Sequence, residues 1–224
     1  MLTNGTTVSW VGAGAKISNV VSNRPIHLST NTFVLQNITI DSCENTNPSG
    51  SGQDSSCIIQ ATLTFTGVTI TNCYTEHGAA GVLRPRNNSL LKSCYIVNPR
   101  TAVKDGKSMY CSQGVGITTI QDTTIDAAVY HNGSTIILDG KCSINLICGI
   151  NSNSTGKILI KNGATITWEP LTGSYSKMLF TNNVGDLEVE SGGTATIKYN
   201  GGTKKVTGSG SYFNVDGTTD LTEV

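Results

Sequence analysis

Phe33-Val-Leu-Gln-Asn-Ile-Thr-Ile-Asp-Ser-Cys43 returns thirty residues later as Leu63-Thr-Phe-Thr-Gly-Val-Thr-Ile-Thr-Asn-Cys73. Each copy has an apolar anchor (Leu35, Phe65), two small or polar residues, then a Val/Ile-Thr-Ile run closing on Cys. A segment that repeats at this interval is usually one rung of a solenoid, because one such unit cannot bury its apolar face alone. Working outward, the anchor recurs at Val11, Leu35, Phe65, Leu91, Ile120, Leu138, Ile160, Val189 and Val215. A second apolar residue follows five or six positions later at Ile17, Ile40, Ile70, Ile96, Ile125, Ile144, Ile166 and Leu221; after Val189 the match is Ile197, with two residues inserted. Between the two lie turn pairs such as Asp139-Gly140, Asn162-Gly163, Ser191-Gly192 and Asp216-Gly217. Strand, short Gly-containing corner, strand is the punctuation of a β-rung.

The spacing varies while the strands do not, so insertions collect in loops, at 44–57, 74–88 and 97–117. The step from Ile120 to Leu138 is short for a full turn. No apolar i, i+3, i+4, i+7 pattern persists for three turns, so almost no helix is expected. The expectation is a single all-β domain over 1–224, a right-handed parallel β-helix of about eight or nine rungs. No convincing cap is visible near Val224, which points to a larger parent protein or an end-on assembly.

Composition agrees. Charged residues make up only 13% of the 224, and Thr, Ser, Asn and Gly are abundant, a mix for β-structure with many tight turns. Fifteen acidic against fifteen basic residues leave no net charge, which argues against nucleic-acid and anionic-membrane partners. No apolar run reaches the length needed to cross a bilayer as a helix. Met1-Leu-Thr-Asn-Gly-Thr has neither the basic nor the apolar region of a signal peptide. The seven cysteines contain no C-x-x-C, so no zinc ribbon or thioredoxin-like site is expected. They read as small buried core residues, with a Cys43–Cys73 disulfide left open because the two occupy the same repeat position.

Strand alternation turns the neighbours of the second apolar residue outward. This gives a hydroxyl-rich column that includes Thr39, Thr69, Thr71, Thr124, Thr165, Thr167 and Thr196, interrupted by Asp41, Tyr95, Val97 and Lys198. Thr also favours exposed strands for its own sake, so the column reads either as a binding face or as ordinary surface.

Phe65-Thr-Gly-Val-Thr-Ile-Thr-Asn-Cys73, followed by Gly78-Ala-Ala-Gly-Val-Leu83, resembles the repeats of right-handed parallel β-helix proteins of the pectin-lyase-like superfamily. The nearest flavour is the polymorphic outer-membrane and autotransporter-passenger adhesins, although Gly78-Ala-Ala only approximates the adhesin GGA tetrapeptide. The resemblance implies the fold over about residues 8–221 and two functional classes. One is a non-enzymatic extracellular adhesive or structural module: a cell-surface adhesin, a filament subunit or a phage tail fibre. It would bind a glycan, a protein or copies of itself. The other is a polysaccharide lyase or hydrolase.

Such enzymes need clustered carboxylates with a basic partner. The nearest set here is the loop Glu76-His77-Gly78 with Arg84 and Arg86, which brings an acid, an imidazole and two guanidiniums within eleven residues. A second is Asp122 with Asp126. A solvated loop with an incidental ion pair explains the first set equally well, and the second is a single pair on a Thr-Thr-Ile strand, whereas Asp139 and Asp216, each before a Gly, read as turn caps. An ice-binding Thr ladder is a further alternative, disfavoured by the interruptions in the column. His27 and His131 stand alone, so neither a metal nor a cofactor is expected.

Overall fold

The structure, a computed structural model, describes residues 6–23, 25–46, 58–76, 82–86, 88–97, 100–101, 107–111, 116–131, 135–149, 158–161, 165–168, 187–190, 194–199, 202–207, 210–214 and 221–223. Every regular element among them is a β-strand, and most strands join one large, mainly parallel sheet. None is a helix long and apolar enough to cross a membrane.

The strands align in four parallel ladders. The first runs from Thr7–Ser18 through Ile26–Asp41, Ile59–Thr66, Ser89–Lys92, Ile117–Gln121, Thr135–Asp139 and Ile158–Ile160 to Leu187–Val189. The second uses the later halves of Thr7–Ser18 and Ile26–Asp41, then Thr69–Thr71, Tyr95–Val97, Thr124–His131, Ser143–Gly149, Thr165–Trp168 and Thr194–Tyr199. Val21–Ser22, Glu44–Asn45, Tyr74–Thr75 and Arg100–Thr101 make the short third ladder. The fourth joins the starts of Ile26–Asp41 and Ile59–Thr66 to Leu83–Pro85, Lys107–Cys111 and the ends of Thr124–His131 and Ser143–Gly149.

The anchors pair in register as the sequence spacing predicts, Trp10 rather than Val11 being the first of them: Trp10, Leu35, Phe65, Leu91, Ile120, Leu138, Ile160 and Val189 lie opposite one another in turn. From Leu35 onward these side chains are buried, and Trp10, Phe33 and Phe65 meet edge to face with ring centroids 5.1 and 5.9 Å apart. Trp10 stays 43% exposed because it ends the row.

The short step from Ile120 to Leu138 has a physical reason. Thr124–His131 passes from the second ladder directly into the fourth, so this repeat contributes no strand to the third.

The C-terminal portion departs from the expected repetition. The parallel order stops at Leu187–Val189 and Thr194–Tyr199. Gly202–Thr207 pairs antiparallel with Thr194–Tyr199, Gly210–Asn214 pairs antiparallel with Leu187–Val189, and Leu221–Glu223 pairs antiparallel with Gly210–Asn214. The anchor assigned to Val215 lies outside the described residues, and the strands on either side of it do not continue the parallel ladders. These antiparallel strands occupy both ladder edges, the role for which the sequence showed no candidate. One register also moves. Ala195, not Ile197, lies opposite Ile166, so Thr196 aligns with Thr167.

Corners are made by residues with left-handed backbone. Between the first and second ladders the stacked residues are Asn37, Gly67, Ser93, Asp122 and Gly140, with φ of 53, 62, 52, 47 and 66°. Between the second and third, Asn19, Ser42 and Asn72 have φ of 58, 53 and 54°. Asn, Asp and Gly are the residues that enter this region at least cost. The corners bond to one another: the Gly67, Ser93 and Asp122 N–H groups donate to the carbonyls of Lys92, Gln121 and Asp139.

Behind the corners at Ser42, Asn72, Ser93, Asp122 and Gly140 sits a small buried donor. Cys43, Cys73 and Cys94 turn their S–H groups back to the carbonyls of Asp41, Thr71 and Lys92, and Cys142 reaches those of Asp139 and Ile120. Thr123 takes the same position with a hydroxyl. It donates to the Gln121 carbonyl at 2.7 Å and accepts the Cys94 N–H at 3.1 Å. A carbonyl that a tight corner leaves inside the core is costly without a partner, which explains a small donor at these places better than apolar filling alone. Thr123→Val keeps the shape and removes both bonds. It is expected to lower stability by about 1–3 kcal/mol, read from chemical denaturation.

Candidate functional site

The outward rows of the second ladder are the most continuous candidate surface. Lys16, Thr39, Thr69, Tyr95, Thr124, Ser143, Thr165 and Thr194 align one above the next, and Ser18, Asp41, Thr71, Val97 and Asp126 form a parallel row beside them. Neighbours along a row are about 4.8 Å apart. Ile40, Ile70, Ile96, Ile125 and Ile144 point inward between the rows and are buried, which fixes the outward direction of the flanking residues. Thr39, Thr69, Thr71 and Thr124 are half-buried and Tyr95 is 50% exposed. The side chains of Thr165, Thr167 and Thr196 lie outside the described residues, although their backbone positions continue the sheet.

The polar end of this face is tied together around Asp41. Its carboxylate lies 2.8 Å from the Lys16 ammonium and accepts bonds from the Asn72 amide at 3.0 Å and the Ser42 hydroxyl at 3.2 Å. The Lys16 and Asn72 bonds hold the Asp41 carboxyl below the usual carboxylate range against the opposing effect of desolvation. A carboxyl lowered in the folded state adds stability that is fully present above its unfolded value. That stability is lost as the pH falls through the lower folded value. Asp41→Asn should therefore be less stable than the parent at neutral pH, and the gap should close in acid as the pH falls through the lowered folded value. Denaturation midpoints measured from about pH 6 to about pH 2 check this.

The two candidate catalytic sets are placed quite differently. Glu76 is exposed, and its carboxylate accepts the Tyr74 hydroxyl at 2.7 Å. His77 lies outside the described residues. Arg84 is not on a solvated edge: it belongs to the strand Leu83–Pro85, opposite Gln60, and only 7% of it is exposed. Arg86 is half-buried and bonds through its backbone to Ala61.

Asp122 is exposed at its corner, and its carboxylate accepts the Lys141 N–H of the next repeat at 2.9 Å. That bond makes it the cap of the Asp139-Gly140 turn, a part which the sequence assigns to Asp139. Asp126 aligns with Val97 on the strand, and its side chain is outside the described residues. No group of three or more His, Cys, Asp or Glu able to hold a metal occurs among the described residues.

Sequence reasoning missed the corner donors. The signal was present in the recurrence of Cys or Thr directly after Asn, Asp or Ser, at Ser42-Cys43, Asn72-Cys73, Ser93-Cys94 and Asp122-Thr123. Two of the buried thiols resist ionisation. Burial pushes Cys94 up to about 11 and raises Cys142.

Comparison with known proteins adds no relative: no family model, no curated protein and no solved structure matches the chain.

Proposed function

We propose that the chain is a non-enzymatic, extracellular structural or adhesive module. Its ladders would wind as one right-handed parallel β-helix, with the N-terminal turns four-sided and the later ones losing the third side. The module belongs on a cell or virion surface, as part of an adhesin, a filament or a tail fibre. It presents the outward rows of the second ladder, with the loops 74–88 and 97–117, to a glycan, a protein or another copy of itself.

The observation that carries this reading is the register of Thr39, Thr69, Tyr95 and Thr124 on consecutive parallel strands. Core packing holds such a row rigid, so hydroxyls and an aromatic ring meet a partner at little cost in ordering. The competing polysaccharide lyase or hydrolase has less support, since Asp122 caps a turn and Arg84 is buried in a ladder.

The test is a glycan array probed with the parent chain and with Thr69→Lys and Thr124→Lys, outward changes that leave the core intact. Binding by the parent that both variants lose supports the face. Binding that both variants retain overturns it in favour of the loops. Release of reducing ends from an acidic polysaccharide, abolished by Glu76→Gln or Asp122→Asn, overturns the non-enzymatic reading.

A further inference from the structure

Cys43 and Cys73 stand apart from the other described thiols. Each follows a left-handed residue of nearly the same φ, 53° at Ser42 and 54° at Asn72. The pairs Asp41–Thr71 and Glu44–Tyr74 lock the register on both sides, and the Tyr74 N–H donates to the Cys43 carbonyl at 2.9 Å. Two identical corners stacked in this way place the Cα atoms about one strand spacing apart, roughly 4.8 Å. That lies within the roughly 4.4–6.8 Å range which a disulfide spans.

Both thiols are free and buried, and each donates its S–H to its own corner carbonyl, Cys43 to Asp41 and Cys73 to Thr71. Among the described residues Cys94 and Cys142 have no thiol neighbour: the corner positions beside Cys94 are Val68 and Thr123, and Thr123 also adjoins Cys142.

We infer that Cys43 and Cys73 form a reversible dithiol–disulfide site, oxidised by a small hydroperoxide such as hydrogen peroxide. The Cys43 sulfur attacks one peroxide oxygen as a thiolate. The O–O bond breaks, Cys43 becomes a sulfenic acid, and the departing hydroxide leaves as water with the proton that Cys43 released. The Cys73 sulfur then displaces the sulfenic hydroxyl. The S–S bond forms, the S–O bond breaks, and the Cys73 proton leaves in a second water. Two electrons have passed from the two sulfurs to the peroxide.

The order follows from the stacking of the two thiols on adjoining corners. A Cys43 thiolate can accept the S–H of the adjoining Cys73, which lowers the Cys43 thiol to about 6, while the same interaction and burial drive Cys73 far upward. Because the pair is buried, the oxidant must be about as small as water. The parallel Cβ atoms must also draw together, and a bond closed under that strain is readily reduced.

The experiment uses the full chain, treated with hydrogen peroxide, then unfolded and alkylated, with peptide mapping by mass spectrometry. The expected result is one linked peptide joining Cys43 to Cys73, two hydrogens lighter and restored by dithiothreitol, while Cys94 and Cys142 alkylate fully. Cys73→Ser should stop the reaction at a Cys43 sulfenic acid trapped by dimedone. The parent mapping decides the matter even if that variant fails to fold. Full alkylation of Cys43 and Cys73 after peroxide, or a link joining any other pair, overturns the inference.

Discussion

Phe65→Ala is expected to lower the unfolding free energy by about 3–5 kcal/mol, a large share of a stability of roughly 5–15 kcal/mol. The side chain is fully buried between Leu35 and Leu91 and stacks edge to face on Phe33. Truncation removes the transfer energy of the ring and leaves a cavity. The hydrogen-bonded strands on both sides cannot close that cavity without breaking register. Far-ultraviolet circular dichroism against denaturant reads the loss. Thr69→Ala, on the outward face of the next strand, should change stability by only about 0.5 kcal/mol. If the two substitutions cost the same, the inward and outward assignments are wrong.

Gly140→Ala is expected to cost about 2–3 kcal/mol for a different reason. The φ of 66° puts residue 140 in the left-handed region, where a Cβ costs about 1–2 kcal/mol. The added Cβ also meets the Asp122 carboxylate from the preceding repeat and displaces it from the Lys141 N–H. The two contributions separate in a double-mutant cycle with Asp122→Ala. Once the carboxylate is gone, Gly140→Ala should cost less, so the double variant is more stable than the sum of the singles. Strict additivity would mean that Asp122 does not cap this turn.

How much was legible in the sequence follows from which interactions leave a local trace. Alternation of Ile, Val and Leu with Thr records which side of a strand meets the core, so Leu35, Phe65, Leu91, Ile120 and Leu138 could be aligned by eye. The outward row Thr39–Thr69–Tyr95–Thr124 followed from the same alternation. Whether a repeat bends three times or four depends on short strands such as Tyr74–Thr75 and Arg100–Thr101, whose two residues carry no period.

The reversal to antiparallel pairing after Thr194–Tyr199 left one local trace, the Asn200-Gly201 pair between Tyr199 and Gly202, which the strand spacing overlooks. Gly202–Thr207 has the same composition as a parallel strand, and only its short link from Tyr199 marks a hairpin. The register at Ala195 was misjudged because Ile197 is the stronger apolar residue, while pairing follows the backbone. Among the candidate catalytic residues, spacing in the chain put Arg84 beside Glu76. The strand Leu83–Pro85 instead buries Arg84 opposite Gln60, a relation that crosses between repeats.

The parallel register is the premise on which the face, the corners and the thiol pair all rest. Its most direct test is a methyl NOESY spectrum of the chain labelled at isoleucine methyls. In-register ladders predict an unbroken series of cross-peaks from Ile40 to Ile70, Ile70 to Ile96, Ile96 to Ile125 and Ile125 to Ile144, all between buried side chains on adjacent strands. A break in that series, with Ile70 or Ile96 instead meeting residues two positions along the neighbouring strand, would contradict it.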